Sequence, residues 1–150
     1  MTGSRAQNIR CVGAVVFDDA GRVLLVRRTN EPGRGRWSVP GGRVEAGETD
    51  HHAVIREVAE ETGLQVKVTR RIGRVQRGAP GGAIFDIHDY LCRPTGGTLR
   101  AGDDADDARW CDGETLTSLP IVDGLLGALA GWGCLPTGPA ALKPPIQPLE

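Results

Sequence analysis

One stretch constrains this chain more than any other. Gly42 to Leu64 reads GRVEAGETDHHAVIREVAEETGL. Thr49 and Asp50 are good N-caps and Gly63 is a good stop, so a helix is expected from one of these caps to about Thr62. On an ideal helix, at about 100° per residue, Val54, Ile55, Val58, Ala59 and Thr62 share one arc. Glu57, Glu60 and Glu61 fall in another, roughly 100° wide. The helix should pack one face into the core and present three carboxylates together on the far side.

That arrangement has a cost. Glu57/Glu60 and Glu57/Glu61 are like-charge pairs at i,i+3 and i,i+4, each unfavourable by about 0.2–0.5 kcal/mol. Lys67 and Arg70 lie beyond the helix. A divalent cation would relieve the repulsion directly, and clustered carboxylates suit hard, oxygen-loving Mg²⁺ or Mn²⁺. The alternative is a solvated acidic face, the usual meaning of a charge run. Further residues weigh against it. Arg56 and Glu48 are placed to pair and brace the loop against the helix. Gly41 and Gly42 bring bare backbone, and a carbonyl able to ligate, near the helix start.

Composition excludes several classes. The net charge is -1, which serves neither a nucleic-acid polymer nor a membrane surface. Aromatic content is 4%, poor for a base-stacking platform. Cys11, Cys92, Cys111 and Cys134 show no zinc or CxxC spacing and read as reduced, buried small hydrophobes. The start is polar, and the apolar run Cys11–Phe17 is too short to span a membrane. A cytoplasmic location is therefore the default. At 150 residues one domain is expected, over residues 1–134, with a Pro-rich tail over 135–150.

Cys11–Phe17 and Val23–Val26 read as strands around the turn at Asp18–Gly21, together a hairpin. Thr29–Arg36 is a loop, Trp37–Val39 a short extended piece and Pro40–Gly42 a bend. Leu64–Val75 reads as a strand or two, Arg77–Gly82 as a turn or loop, and Ala83–Cys92 as the best late strand. Asp103, Asp104, Asp106 and Asp107 form an acidic loop before a short strand, Ala108–Cys111. Glu114–Leu119 is a helical turn, and Pro120–Trp132 a last helix weakened by glycines. The class is α+β, with a mixed sheet between helices.

The central stretch resembles the Nudix box, G-x5-E-x7-R-E-U-x-E-E-x-G-U with U aliphatic. All nine fixed positions match. A chance match in a chain of this length is of order 10⁻⁷. WSVPGG before it also resembles the family's run into the box. The resemblance implies an α/β/α sandwich and metal-dependent hydrolysis of a nucleoside diphosphate linked to another group. It implies that Glu57, Glu60 and Glu61 ligate Mg²⁺ with help from the Gly41 carbonyl, and that Arg56 and Glu48 orient the box. The base that deprotonates the attacking water is either Glu57 or an aspartate of the late acidic loop.

Substrate choice must lie outside the box. Arg27, Arg28, Arg34 and Arg36 flank the loop before it; Arg28 and Arg34 are the first candidates to clamp phosphate. Asp104 is the substrate-facing candidate of the late loop. Pro80, sixteen residues after Leu64, and the EPGRGRW run resemble ADP-ribose pyrophosphatases. Such relatives are often homodimers, which makes a homodimer an expectation by analogy. Trp37 reads as core rather than as a stacking face. His51 and His52 read as exposed. The leading expectation is cleavage of ADP-ribose or a nucleotide sugar. A pyrophosphatase for (oxidised) deoxynucleoside triphosphates comes second, and a silent nucleotide sensor third.

Overall fold

The computed structural model describes residues 7–102 and 105–136. The elements run β1 (Asn8–Val16), β2 (Val23–Arg28), β3 (Trp37–Ser38), β4 (Gly41–Arg43), α1 (Asp50–Thr62), β5 (Leu64–Gly78), β6 (Ile84–Gly97), β7 (Ala105–Cys111), α2 (Gly113–Ser118) and α3 (Leu125–Gly131). A four-stranded sheet has the order β4-β1-β6-β5 and a three-stranded sheet the order β3-β2-β7. β1 and β6 are parallel, and the other pairs are antiparallel. The class is therefore the expected α+β sandwich with a mixed sheet between helices.

Two cores explain the layering. Val12, Ala14, Val16, Tyr90 and Cys92 pack with Ala53, Val54 and Val58 of α1 on one side of the large sheet. Val15 and Leu91 pack on the other side with Leu116, Leu125 and Leu129. β1 is buried without a break from Cys11 to Val16, as a central strand covered on both faces must be. All four cysteines are free and buried, as expected.

The expected β1–β2 hairpin does not form. The two strands enter different sheets and meet only at an isolated bridge, Phe17 to Val23. Both are apolar on both faces, so each takes its own central place. The turn itself is as read: Asp18 accepts hydrogen bonds from the Ala20 and Arg22 N–H groups at 3.0 and 2.9 Å. The last helix starts later than expected. Gly124, at φ 86°, is left-handed and caps α3. The residues before it run extended beside Trp37, whose N–H donates to the Pro120 carbonyl at 2.8 Å. Leu64–Val75 is one strand continuing to Gly78, bent by bulges. Asp103, Asp104 and the tail beyond Pro136 lie outside the described residues. Among the described residues no helix is long and apolar enough to cross a membrane.

Candidate active site

α1 begins and ends where its caps dictate. The Thr49 hydroxyl accepts from the His52 N–H at 3.1 Å, and Gly63 is left-handed at φ 76°. The buried positions are Ala53, Val54, Val58, Glu61 and Thr62. Ile55 and Ala59, expected in the core face, are exposed instead. The stripe is turned toward β4, which takes Glu61 into the interior. There the Gly41 N–H donates to Glu61 Oε1 at 3.1 Å. The three glutamates are thus not equivalent: Glu60 is exposed, Glu57 half-buried and Glu61 buried.

Two adjacent glycines make this approach possible. A Cβ on Gly41 would strike the Val12 carbonyl of β1. A Cβ on Gly42 would sit 2.5 Å from Glu57 Oε2. The bare backbone of these two residues thus lets β4 pair with β1 on one side and admits a carboxylate on the other.

Arg56 ties the loop to the helix. Its Nε donates to Glu48 Oε2 at 2.6 Å and its Nη2 to Glu48 Oε1 at 2.9 Å. Nη2 also donates to the Arg43 carbonyl at 3.0 Å. Nη1 donates to Glu57 Oε2 at 2.9 Å and Glu60 Oε1 at 3.2 Å. Lys67 and Arg70 lie beyond the helix, but Arg56, on the helix itself, meets the acidic face. Arg56 stands at i,i+4 to Glu60, a spacing visible in the sequence. Glu48 also accepts from the Glu45 N–H at 2.9 Å, which closes the turn. The Arg56 guanidinium, then that N–H, lowers the Glu48 pKa to about 2. The Arg56 pKa is raised, chiefly by Glu48. Burial, opposed by Arg56, raises that of Glu57.

Among the described residues no three His, Cys, Asp or Glu side chains already converge as an ion cage. A Mg²⁺ site needs none, because this ion keeps waters and shares substrate phosphates with one or two carboxylates. Glu57 and Glu61 fit that demand: both are drawn in from solvent, and both line one open cavity with Gly41 and Gly42.

That cavity measures about 680 Å³, within the usual range for small-molecule sites. Arg28, Arg36, Arg77, Phe85, Ile87, Asp89 and Trp132 also line it. Arg28 donates through Nε to the Pro32 carbonyl at 2.6 Å. Arg34 is exposed and outside the lining, as is Pro80, which sits in a short 3-10 turn. Arg27 pairs with Asp106 at 2.6 Å and Arg109 with Asp107 at 3.2 Å, all four outside the lining. Trp37 is core, 2% exposed, with the Arg27 and Arg109 guanidinium groups over its ring. His51 and His52 are exposed. Sequence reasoning missed Arg77, Phe85, Asp89 and Trp132. Only the alternation in Ile84–Cys92 hinted that Phe85, Ile87 and Asp89 share a face. Asp89 is buried, and burial pushes its carboxyl up to about 7.

Comparison with known proteins agrees with this fold. A family model described as NUDIX domain matches residues 7–126. An ADP-ribose pyrophosphatase of Methanocaldococcus jannaschii is 39% identical over 107 residues, covering 70% of this chain and 61% of that protein. The 8-oxo-dGDP phosphatase NUDT18 of Mus musculus is 38% identical over 93 residues, covering 62% of this chain and 28% of that protein. The chain thus spans less than two thirds of either relative. The crystal structure of a MutT NUDIX hydrolase from Burkholderia pseudomallei superposes with a TM-score of 0.71 at 28% identity, covering 83% of this chain and 97% of that one. With the box intact and the family model matched over most of its length, the chain belongs to the Nudix family.

Proposed function

We propose that this protein hydrolyses the pyrophosphate bond of a nucleoside diphosphate linked to another group, with ADP-ribose or a nucleotide sugar first, in a Mg²⁺-dependent reaction. The observation that carries the reading is the position of Glu57 and Glu61. Both stand at the edge of a cavity large enough for a nucleotide, beside the bare backbone of Gly41 and Gly42. Glu57, Glu60, Glu61 and the Gly41 carbonyl would hold Mg²⁺ (or Mn²⁺). When bound, the ion neutralises phosphate charge and makes water a better nucleophile. Arg56 and Glu48 keep the helix and its preceding loop in register. Arg28, Arg36 and Arg77 supply cationic groups along the cavity for the remaining phosphate oxygens. Glu57 is the group we assign to take the proton of the attacking water. Of the late aspartates, Asp106 and Asp107 are held in ion pairs away from the cavity. Four free, buried cysteines fit a reducing compartment, so a cytoplasmic setting is part of the reading.

The similarity to an 8-oxo-dGDP phosphatase supports a second reading, in which an oxidised deoxynucleotide is the substrate. A panel of ADP-ribose, nucleotide sugars and deoxynucleoside di- and triphosphates, with products separated by chromatography, tests both. AMP plus ribose 5-phosphate is the expected outcome. Exclusive release of pyrophosphate or phosphate from deoxynucleotides would transfer the assignment to the second reading.

A further inference from the structure

One row crosses the large sheet beneath the cavity. Gly41 of β4 pairs with Gly13 of β1, Gly13 with Asp89 of β6, and Asp89 with Gly73 of β5. Three of the four positions have no side chain, so the row is a strip of bare backbone with one carboxyl in it. The glycines are filled from outside. A Cβ on Gly13 would strike Asp89 Oδ1, and a Cβ on Gly73 would strike the Trp132 indole. Asp89 therefore leans toward β1, and Trp132 lies over β5.

The order across the sheet is then Glu61 with Gly41, the Asp89 carboxyl, and the Trp132 ring. Strands lie about 4.8 Å apart, so the strip from β4 to β5 is roughly 14 Å long. A nucleotide presents phosphate, ribose and base in the same order.

Asp89 is also unusual by itself. It is 4% exposed. No hydrogen bond or ion pair from a described residue reaches its carboxyl, and the pull of Arg77 only partly offsets its burial. A buried carboxyl without donors is unfavourable. A ligand with two adjacent O–H groups would satisfy both of its oxygens.

We propose that Asp89 accepts hydrogen bonds from the vicinal 2′- and 3′-hydroxyls of the ribose next to the diphosphate, and so selects ribonucleotides over deoxyribonucleotides. Trp132, beyond it, flanks the base. The inference rests on the nucleotide reading given above and deepens it.

The test is calorimetric binding of AMP and of 2′-deoxy-AMP, with Mg²⁺, to the full chain. The wild type should bind AMP about 10-fold more tightly, the upper worth of one ordinary hydrogen bond. Asp89→Asn and Asp89→Ala should each shrink that ratio to about twofold or less by weakening AMP alone. Equal wild-type affinities would overturn the proposal without any variant, as would no measurable AMP binding or a ratio unchanged in both variants. ADP-ribose hydrolysis run alongside separates the two claims. A protein that prefers AMP but cleaves nothing refutes the hydrolysis and keeps Asp89. One that cleaves without the preference refutes Asp89 alone.

Discussion

Arg56 grips Glu48 with two prongs of one guanidinium, Nε to Oε2 at 2.6 Å and Nη2 to Oε1 at 2.9 Å. A third prong, Nη1, bridges Glu57 and Glu60. One side chain thus joins the loop before α1 to the acidic face of α1. Lysine has the charge but not the fork. Arg56→Lys should therefore fold, yet lose about 10–100-fold in metal affinity or kcat, the usual cost of disturbing a residue that orients ligands. Isothermal titration with Mg²⁺ and initial rates would measure this, with near wild-type values counting against the role.

Glu48 carries a pH signature. Its carboxyl is lowered from 4.5 to about 2 by Arg56. Because the folded value lies below the unfolded one, the stabilisation is present above about pH 4.5 and is lost as pH falls toward about 2. Glu48→Gln should remove this part of the acid sensitivity. The difference in Tm between wild type and variant should be constant from neutral pH to about 4.5 and narrow below it. A difference that grows in acid would contradict the pairing.

The two glycines of β4 should respond differently. A methyl at Gly41 meets the Val12 backbone carbonyl, which cannot yield without moving β1. Gly41→Ala should thus cost stability, on the order of 1–3 kcal/mol. A methyl at Gly42 meets the Glu57 carboxylate first, the end of a side chain. Gly42→Ala should stay folded but displace Glu57 and weaken Mg²⁺ binding. Denaturant melts and metal titration on both variants would show whether the effects separate in this way.

Much of the site was legible because it is local. The caps at Thr49 and Gly63, the glutamates and the Arg56–Glu48 pair lie within one helix and its loop, where spacing alone determines who meets whom. The arc of Glu61 was misplaced because burial depends on β4, which helical periodicity does not see. The β1–β2 hairpin failed for a similar reason. A turn signal specifies the chain reversal, but not whether two doubly buried strands pair with each other or with distant partners. Asp89, Gly13 and Gly73 were invisible because their adjacency arises from register between strands far apart in the chain.

The central claim is that the carboxylates of α1 serve a Mg²⁺-dependent cleavage in the adjoining cavity. The most direct measurement is the hydrolysis rate of the best panel substrate as Mg²⁺ is titrated, for the wild type and for Glu57→Gln and Glu61→Gln shown by thermal melts to be folded. The account predicts no turnover in EDTA, restoration by Mg²⁺, and rates at least about 100-fold lower in both variants, at or beyond the cost of an orienting residue. A wild-type rate in EDTA, or undiminished Mg²⁺-dependent rates in both variants, would contradict it.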